Sequence, residues 1–215
     1  MKLSPSNQQY RLFISELKNF DPKKKYNVLE VGAGEQLIKP YLGKNFTYKG
    51  MDLGKNQDYN FNLDGGKFPI KSEVFDIIIC LETMEHVMYP ERVLKEIVRV
   101  AKKDAFFFLS MPNEYNFLQR FYHLFGIKTF IDAPFRLVEE HLHIHKPRVK
   151  DILNLFSKHL KIQKIDYVWE SRHSTEYLTY SSFFRAIDKF IDVLAKLWPE
   201  MFTRLVAVKA VKRDR

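Results

Sequence analysis

The stretch "NVLEVGAGEQLIKPYL" (residues 27–42) decides how the rest of the chain is read. Apolar and β-branched residues lead up to Val31, and Gly32-Ala33-Gly34 follows at once. Val and Leu here suit a strand, and the glycines let the backbone turn tightly where a Cβ would collide with a ligand. The glycines then stop, leaving Gln36 and Leu37. A dinucleotide fingerprint needs Gly or Ala at position 37, so Leu37 argues against a pyrophosphate in this turn. Residues 37–42 read as a short helix after it.

Working outward, strand-like and helix-like segments alternate. Residues 8–20 carry Tyr10, Phe13, Ile14, Leu17 and Phe20 at helical spacing. Strands are expected at 26–31, 47–52, 75–81, 105–111, 161–168 and 204–211, with helices opening at Pro90 and Pro147. "FDIIICL" (75–81) is apolar throughout, the pattern of a strand covered on both faces. Such alternation predicts an α/β, Rossmann-like, mostly parallel sheet with helices on both faces. Ligands in these sheets lie beyond the carboxyl ends of the strands, where strand order reverses. The residues just after Val31, Asp52, Leu81 and Met111 are therefore expected around one crevice.

Size and composition fit one domain over residues 1–215, with an N-terminal helix at about 7–20 and helical lid insertions at about 113–140 and 171–200. The single cysteine, Cys80, excludes an internal disulfide and a cysteine-rich zinc site, and a reducing, cytoplasmic setting is the expectation. Residues 1–20 lack the cationic stub and apolar run of a leader, and no apolar stretch approaches a membrane span. The chain carries a net charge of +9, most of it after His145. That half suits an anionic partner or a solvated lysine-rich face.

Two carboxylates narrow the ligand. Glu30 precedes the glycine turn, where it is badly placed against phosphates and well placed against an ammonium group. Asp52 closes the second strand, where an acid binds the two hydroxyls of a ribose. An adenosyl ligand with a cationic amino-acid end satisfies both, and S-adenosylmethionine is such a molecule. With Glu30-Val-Gly-Ala-Gly, Gly50-Met-Asp52, "LDGGKFPIKSEVFDIIICLETMEHV", "FFFLSMPNEYN" and "HLHIHKPRVKDILNLF" in this order, the sequence resembles the class I S-adenosylmethionine-dependent methyltransferases. The resembling branch includes the quinone-biosynthesis O-methyltransferases. The resemblance covers about residues 26–168 and implies a seven-stranded sheet with the last strand antiparallel. It implies that Glu30, Gly32 and Gly34 hold the methionine end of the cofactor, Asp52 the ribose, Asp64 the adenine amino group, and that Glu82 lies beside the methionine moiety. Gln36 stands where the family usually has a third glycine, with its side chain expected to point away from the ligand.

Methyl transfer needs an aligned acceptor and a dry site rather than a covalent nucleophile. The Asn/Asp-Pro-Pro-aromatic signature of exocyclic-amine methyltransferases is absent at Leu81-Glu82-Thr83, which favours a hydroxyl acceptor. A base should then take its proton, and His86, His141 and His143 are the candidates. Glu82, Glu85 and His86 also have i, i+3, i+4 spacing, so a helix starting at Glu82 would align them for a divalent ion such as Mg²⁺, with His141 or His143 as a further ligand. That pattern resembles metal-assisted relatives. Glu82 and His86 equally have metal-free roles, so no residue is assigned to a metal outright. Aromatic stripes at Phe117–Phe125 and Tyr180–Trp198 suit packing, a second copy of the chain, or a lid over an aromatic or lipid-linked acceptor at a membrane surface. RNA is the less favoured acceptor, and a non-catalytic cofactor-binding scaffold is the remaining alternative.

Overall fold

The computed structural model describes residues 8–127, 143–169 and 182–213. Among them, α1 (Gln8–Glu16) precedes β1 (Tyr26–Val31), β2 (Phe46–Asp52), β3 (Tyr59–Asn60) and β4 (Phe75–Leu81). Then come α2 (Pro90–Val100), β5 (Ala101–Pro112), α3 (Phe117–Leu124), α4 (Val149–Ser157) and β6 (Leu160–Val168). The described chain closes with α5 (Ser182–Leu197), α6 (Pro199–Phe202) and β7 (Leu205–Lys212). The strands form one seven-stranded sheet in the order β3-β2-β1-β4-β5-β7-β6. The first five are parallel, and β7 runs antiparallel between β5 and β6. The sheet class expected from the sequence is therefore the one observed, with the strand order reversing between β1 and β4.

β4 shows why. Its Ile77 and Ile79 enter one core with Val28, Leu81, Phe108 and Phe13 of α1. Its Ile78 and Cys80 enter the other, with Leu94 and Ile97 of α2 and Ile152 and Phe156 of α4. A period of two along an all-apolar strand thus fills both layers. The rings of Phe13 and Phe108 meet edge to face at 4.9 Å, and Phe20 meets Phe106 at 5.3 Å. Glu16, at the far end of α1, accepts from Lys209 at 2.8 Å and Lys164 at 3.1 Å, which pushes its carboxyl down to about 2.

Three local expectations need correction. Residues 37–42 do not form an α-helix: only a 3₁₀ turn, Lys39–Tyr41, is present, because Pro40 removes a backbone donor in its middle. The two-residue β3 is too short to show a period and was not anticipated. β5 begins at Ala101, four residues before the strand expected at 105–111. The lid segments fall partly on residues 128–142 and 170–181, outside the described residues.

One close approach locks the carboxyl end of the sheet. Gly32, at φ 73°, packs so tightly that a Cβ there would lie 2.1 Å from Thr83 Oγ1, just past β4. Around Gly34, at φ 48°, a Cβ would meet nothing within 4 Å. Gly32→Ala is expected to cost about 3 kcal/mol or more, from collision and left-handed strain together. Gly34→Ala should cost only about 1–2 kcal/mol, the backbone strain alone. Urea unfolding of the two variants checks this, and equal losses would contradict the packing argument.

Candidate functional site

The ends of β1, β2 and β4 bring Glu30, the glycine turn, Asp52 and Glu82 to one crevice. Gly34 N–H donates to Asp52 Oδ2 at 2.8 Å, and Leu53 N–H donates to Asp52 Oδ1 at 2.6 Å. Asp52 is thus fixed against the glycine turn while staying partly open. Glu30 is 1% exposed and accepts a hydrogen bond from the Tyr48 hydroxyl. Burial pushes its carboxyl up to about 7, the Tyr48 bond opposes that, and the Asp52 charge adds to it. Gln36 adopts φ 54°, a glycine-like conformation at the position of the missing glycine. Its Nε2 donates to Asn56 O at 2.8 Å and Gln57 Oε1 at 3.1 Å, so the side chain leans on the neighbouring loop.

Asp64 and Glu82 make contacts of their own. The Asp64 carboxylate accepts from Met88 N at 2.9 Å and Tyr89 N at 3.3 Å, fixing the turn before α2. Glu82 takes φ 47° and accepts from Gln9 Nε2 at 2.9 Å, so the first turn of α1 forms a wall of the crevice. A left-handed Glu82 cannot start a helix, and only a 3₁₀ turn, Met84–His86, follows. The expected shared helix face of Glu82, Glu85 and His86 therefore does not exist.

A different cluster replaces it. Glu85, His86 and His143 can each offer a ligand atom within 4.8 Å of the others. Glu85 is fully buried, and neither carboxylate oxygen has a hydrogen-bond partner. Both His86 Nε2 and His143 Nε2 lie 4.0 Å from Glu85 Oε1, and the two rings are 4.7 Å apart. His143 Nδ1 is bonded to Glu114, itself 4% exposed in the turn after β5. Backbone contacts assemble the group: Glu85 O accepts from Ile144 N at 2.9 Å and His145 N at 3.0 Å. Burial, with the nearby charges of Glu82 and Glu114, holds the Glu85 carboxyl well above the usual range. His141 lies outside the described residues. Glu114 was missed by sequence reasoning, although the Pro112-Asn-Glu turn at the end of a buried strand marked the place.

Chemically, the first half of the crevice offers a buried carboxyl able to pair with a cation and a fixed acid for a diol. The second half offers two imidazoles and two buried carboxyl groups. A basin of about 1060 Å³ at the opposite, amino end of the strands contains none of these residues.

A model of the methyltransferase domain matches residues 6–159, and the chain belongs to that family. It is 30% identical over 115 residues to the ubiquinone biosynthesis O-methyltransferase of Coxiella burnetii, covering 46% of this chain and 49% of that protein. It is 28% identical over 137 residues to an uncharacterized protein of Methanocaldococcus jannaschii, covering 57% and 60%. The chain thus spans about half to three-fifths of the curated relatives it matches. Among solved structures, an S-adenosylmethionine-dependent methyltransferase of Thermotoga maritima superposes with TM-score 0.57 at 16% identity, over 97% of this chain and 91% of that one. One from Mesorhizobium loti gives 0.56 at 12%, over 93% and 96%. The cyclase SpnF gives 0.63 at 13%, over 100% and 85%. At these identities the likeness establishes the class I methyltransferase fold.

Glu30 has a consequence for the free protein. Its folded acidity, about 7 against an ordinary 4.5, means that the folded state keeps a proton that the unfolded chain releases. The associated stability is present below about pH 4.5 and is lost as pH rises to about 7. The loss is on the order of 3 kcal/mol. Glu30→Gln should flatten this part of the stability profile, measured by denaturant titration from pH 4 to 8. An unchanged slope would contradict the burial of this carboxylate.

Proposed function

We propose that the chain transfers the methyl group of S-adenosylmethionine to a hydroxyl of a small-molecule or lipid-linked acceptor. The observation that carries this reading is the buried Glu30 carboxylate beneath a glycine turn whose Gly34 amide holds Asp52. The open space at Gly34, the cation-seeking Glu30 and the diol-matching Asp52 suit the three parts of that cofactor. In this reading Glu30, Gly32 and Gly34 receive the methionine end, with Glu82 beside it held by Gln9. Asp52 binds the ribose, and Asp64 lies toward the adenine. When bound, the cofactor supplies a methyl group on an already activated sulfonium. The residues' task is then to orient the acceptor, exclude water and remove a proton. With Nδ1 bonded to Glu114, His143 offers its Nε2 side as the proton acceptor for the hydroxyl. His86, beside it, is the second candidate.

A metal-assisted version is favoured by one observation: two orphaned, buried oxygens of Glu85 facing two imidazoles. A buried carboxyl without a hydrogen-bond partner is costly, and a cation that displaced its proton would satisfy it. The residues that would hold it are Glu85, His86 and His143, without Glu82. Such an ion would act as a Lewis acid on the acceptor oxygen. Two imidazoles and one carboxylate suit Mn²⁺ or another first-row ion better than the Mg²⁺ expected from sequence.

Calorimetry should show cofactor binding that Asp52→Ala weakens by about tenfold or more, since hydrogen bonds to a charged partner are worth about 1.5–3 kcal/mol each. Equal affinity for wild type and variant, or preferential binding of NAD, would refute the cofactor assignment. Separately, Mn²⁺ should bind the free protein and raise its unfolding temperature, and both effects should vanish in Glu85→Gln and His143→Ala. Wild type indifferent to Mn²⁺ would leave His143 as a simple base.

A further inference from the structure

Two helices at the crevice end of the sheet are built with apolar residues facing out. On α3, Gln119 is buried with its Oε1 unpartnered, while Phe121, Leu124 and Phe125 are 51%, 78% and 62% exposed. The rings of Phe121 and Phe125 pair on the surface at 4.6 Å. On α5, Ile191 and Leu194 of the stripe read from the sequence are half-buried beside the buried Ala195, whereas Ile187 and Trp198 are exposed. A second ridge then faces outward: Phe190, Val193 and Leu197, at i, i+3, i+7 spacing, are 62%, 53% and 76% exposed. Trp198 follows at 58%. A helix apolar on both sides is ordinarily enclosed, and this one is open on one.

The charges beside the ridge choose its partner. Lys189 and Lys196 are exposed and run alongside Phe190 and Leu197 on the same side of the helix. Asp192 is turned inward, accepting from Trp169 N at 3.1 Å. In an antiparallel pairing of α5 with a second copy, those lysines would lie on the same side and face one another. Against anionic headgroups they meet opposite charge, and an apolar ridge of Phe, Leu and Trp with flanking lysines is the pattern of a helix lying in a membrane interface. Among the described residues no helix is long and apolar enough to cross a membrane, so the contact is made from one side.

The ridges are joined to the crevice. Phe117 of α3 stacks on Trp169 at 5.1 Å and meets Phe202 at 5.3 Å, and Phe202 meets Trp198 at 6.2 Å. α3 itself springs from the Asn113–Glu114 turn that holds His143. We propose that this face docks on an anionic bilayer, with the α5 ridge and the end of α3 seated among the lipids and Lys189 and Lys196 on headgroup phosphates. Docked so, the crevice mouth meets an acceptor carried in the bilayer. Only that last step rests on the methyl-transfer reading.

The test is sedimentation of the full chain with phosphatidylcholine vesicles, with and without phosphatidylglycerol. The protein should sediment with the anionic vesicles, less so as salt rises. Phe190→Ser/Leu197→Ser and Lys189→Glu/Lys196→Glu should each lower partitioning by about tenfold or more. The lysine variant leaves the apolar residues intact, so it stays informative even if the serine variant loses its fold by circular dichroism. Cofactor affinity, measured in parallel, should not change; its absence in wild type would fault the methyl-transfer reading and leave docking standing. Docking is overturned by no sedimentation, by full binding in the lysine variant, or by a doubled mass in light scattering that the serine pair halves.

Discussion

The contact between Gly32 and Thr83 holds the carboxyl end of the sheet together. Parallel strands β1 and β4 lie side by side, but their following loops would diverge without a reason to stay close. The missing side chain at Gly32 lets Thr83 pack against the backbone, and Thr83 Oγ1 bonds back to Leu81 O at 3.0 Å. The glycine turn and the turn bearing Glu85 and His86 thus become one unit. Every other feature of the crevice hangs from that junction: Asp52 through the Gly34 amide, and the residue 143–145 segment through the Glu85 carbonyl.

Acids in this crevice are buried to a degree that stability alone does not favour. Glu30, Glu85 and Glu114 are each at most 4% exposed, and two of them have their pKa raised by burial. Removing a carboxylate from water is unfavourable unless charge or hydrogen bonds replace the lost solvation. Tyr48 does so for Glu30 and His143 for Glu114, whereas Glu85 has no hydrogen-bond partner. The sheet's two apolar layers offset that cost, since Val28, Leu29, Ile77, Ile78 and Ile79 are wholly enclosed. In the function proposed above, that cost is recovered when a positively charged or cation-bearing ligand binds.

Much of the architecture was legible because it rests on local pattern. "FDIIICL" announces a doubly covered strand, and Gly32-Ala33-Gly34 after a strand announces a ligand turn. Asp52 was placed by its position at a strand end. The remainder depended on facts that periodicity does not carry. A single left-handed residue, Glu82, breaks the helical spacing that linked it to Glu85 and His86. His143 reaches the cluster through backbone pairing with a turn nearly sixty residues earlier, and Glu114 through a side-chain bond of the same long-range kind. On α5 the half-buried Ile191 and Leu194 interleave with the exposed Phe190, Val193 and Leu197, so a single helical stripe did not separate the two faces.

The place of β7 has a bearing on how the molecule is made. The strand lies inside the sheet, yet it is the last of the seven along the chain, inserted between β5 and β6. Until it is synthesised, the apolar edge of β5, with Phe106, Phe107 and Phe108, has no neighbour on that side. Unpaired edges of this composition invite pairing with other chains. The nascent protein therefore carries an open, aggregation-prone margin from the completion of β5 until β7 emerges, and that one event both completes the sheet and seals it.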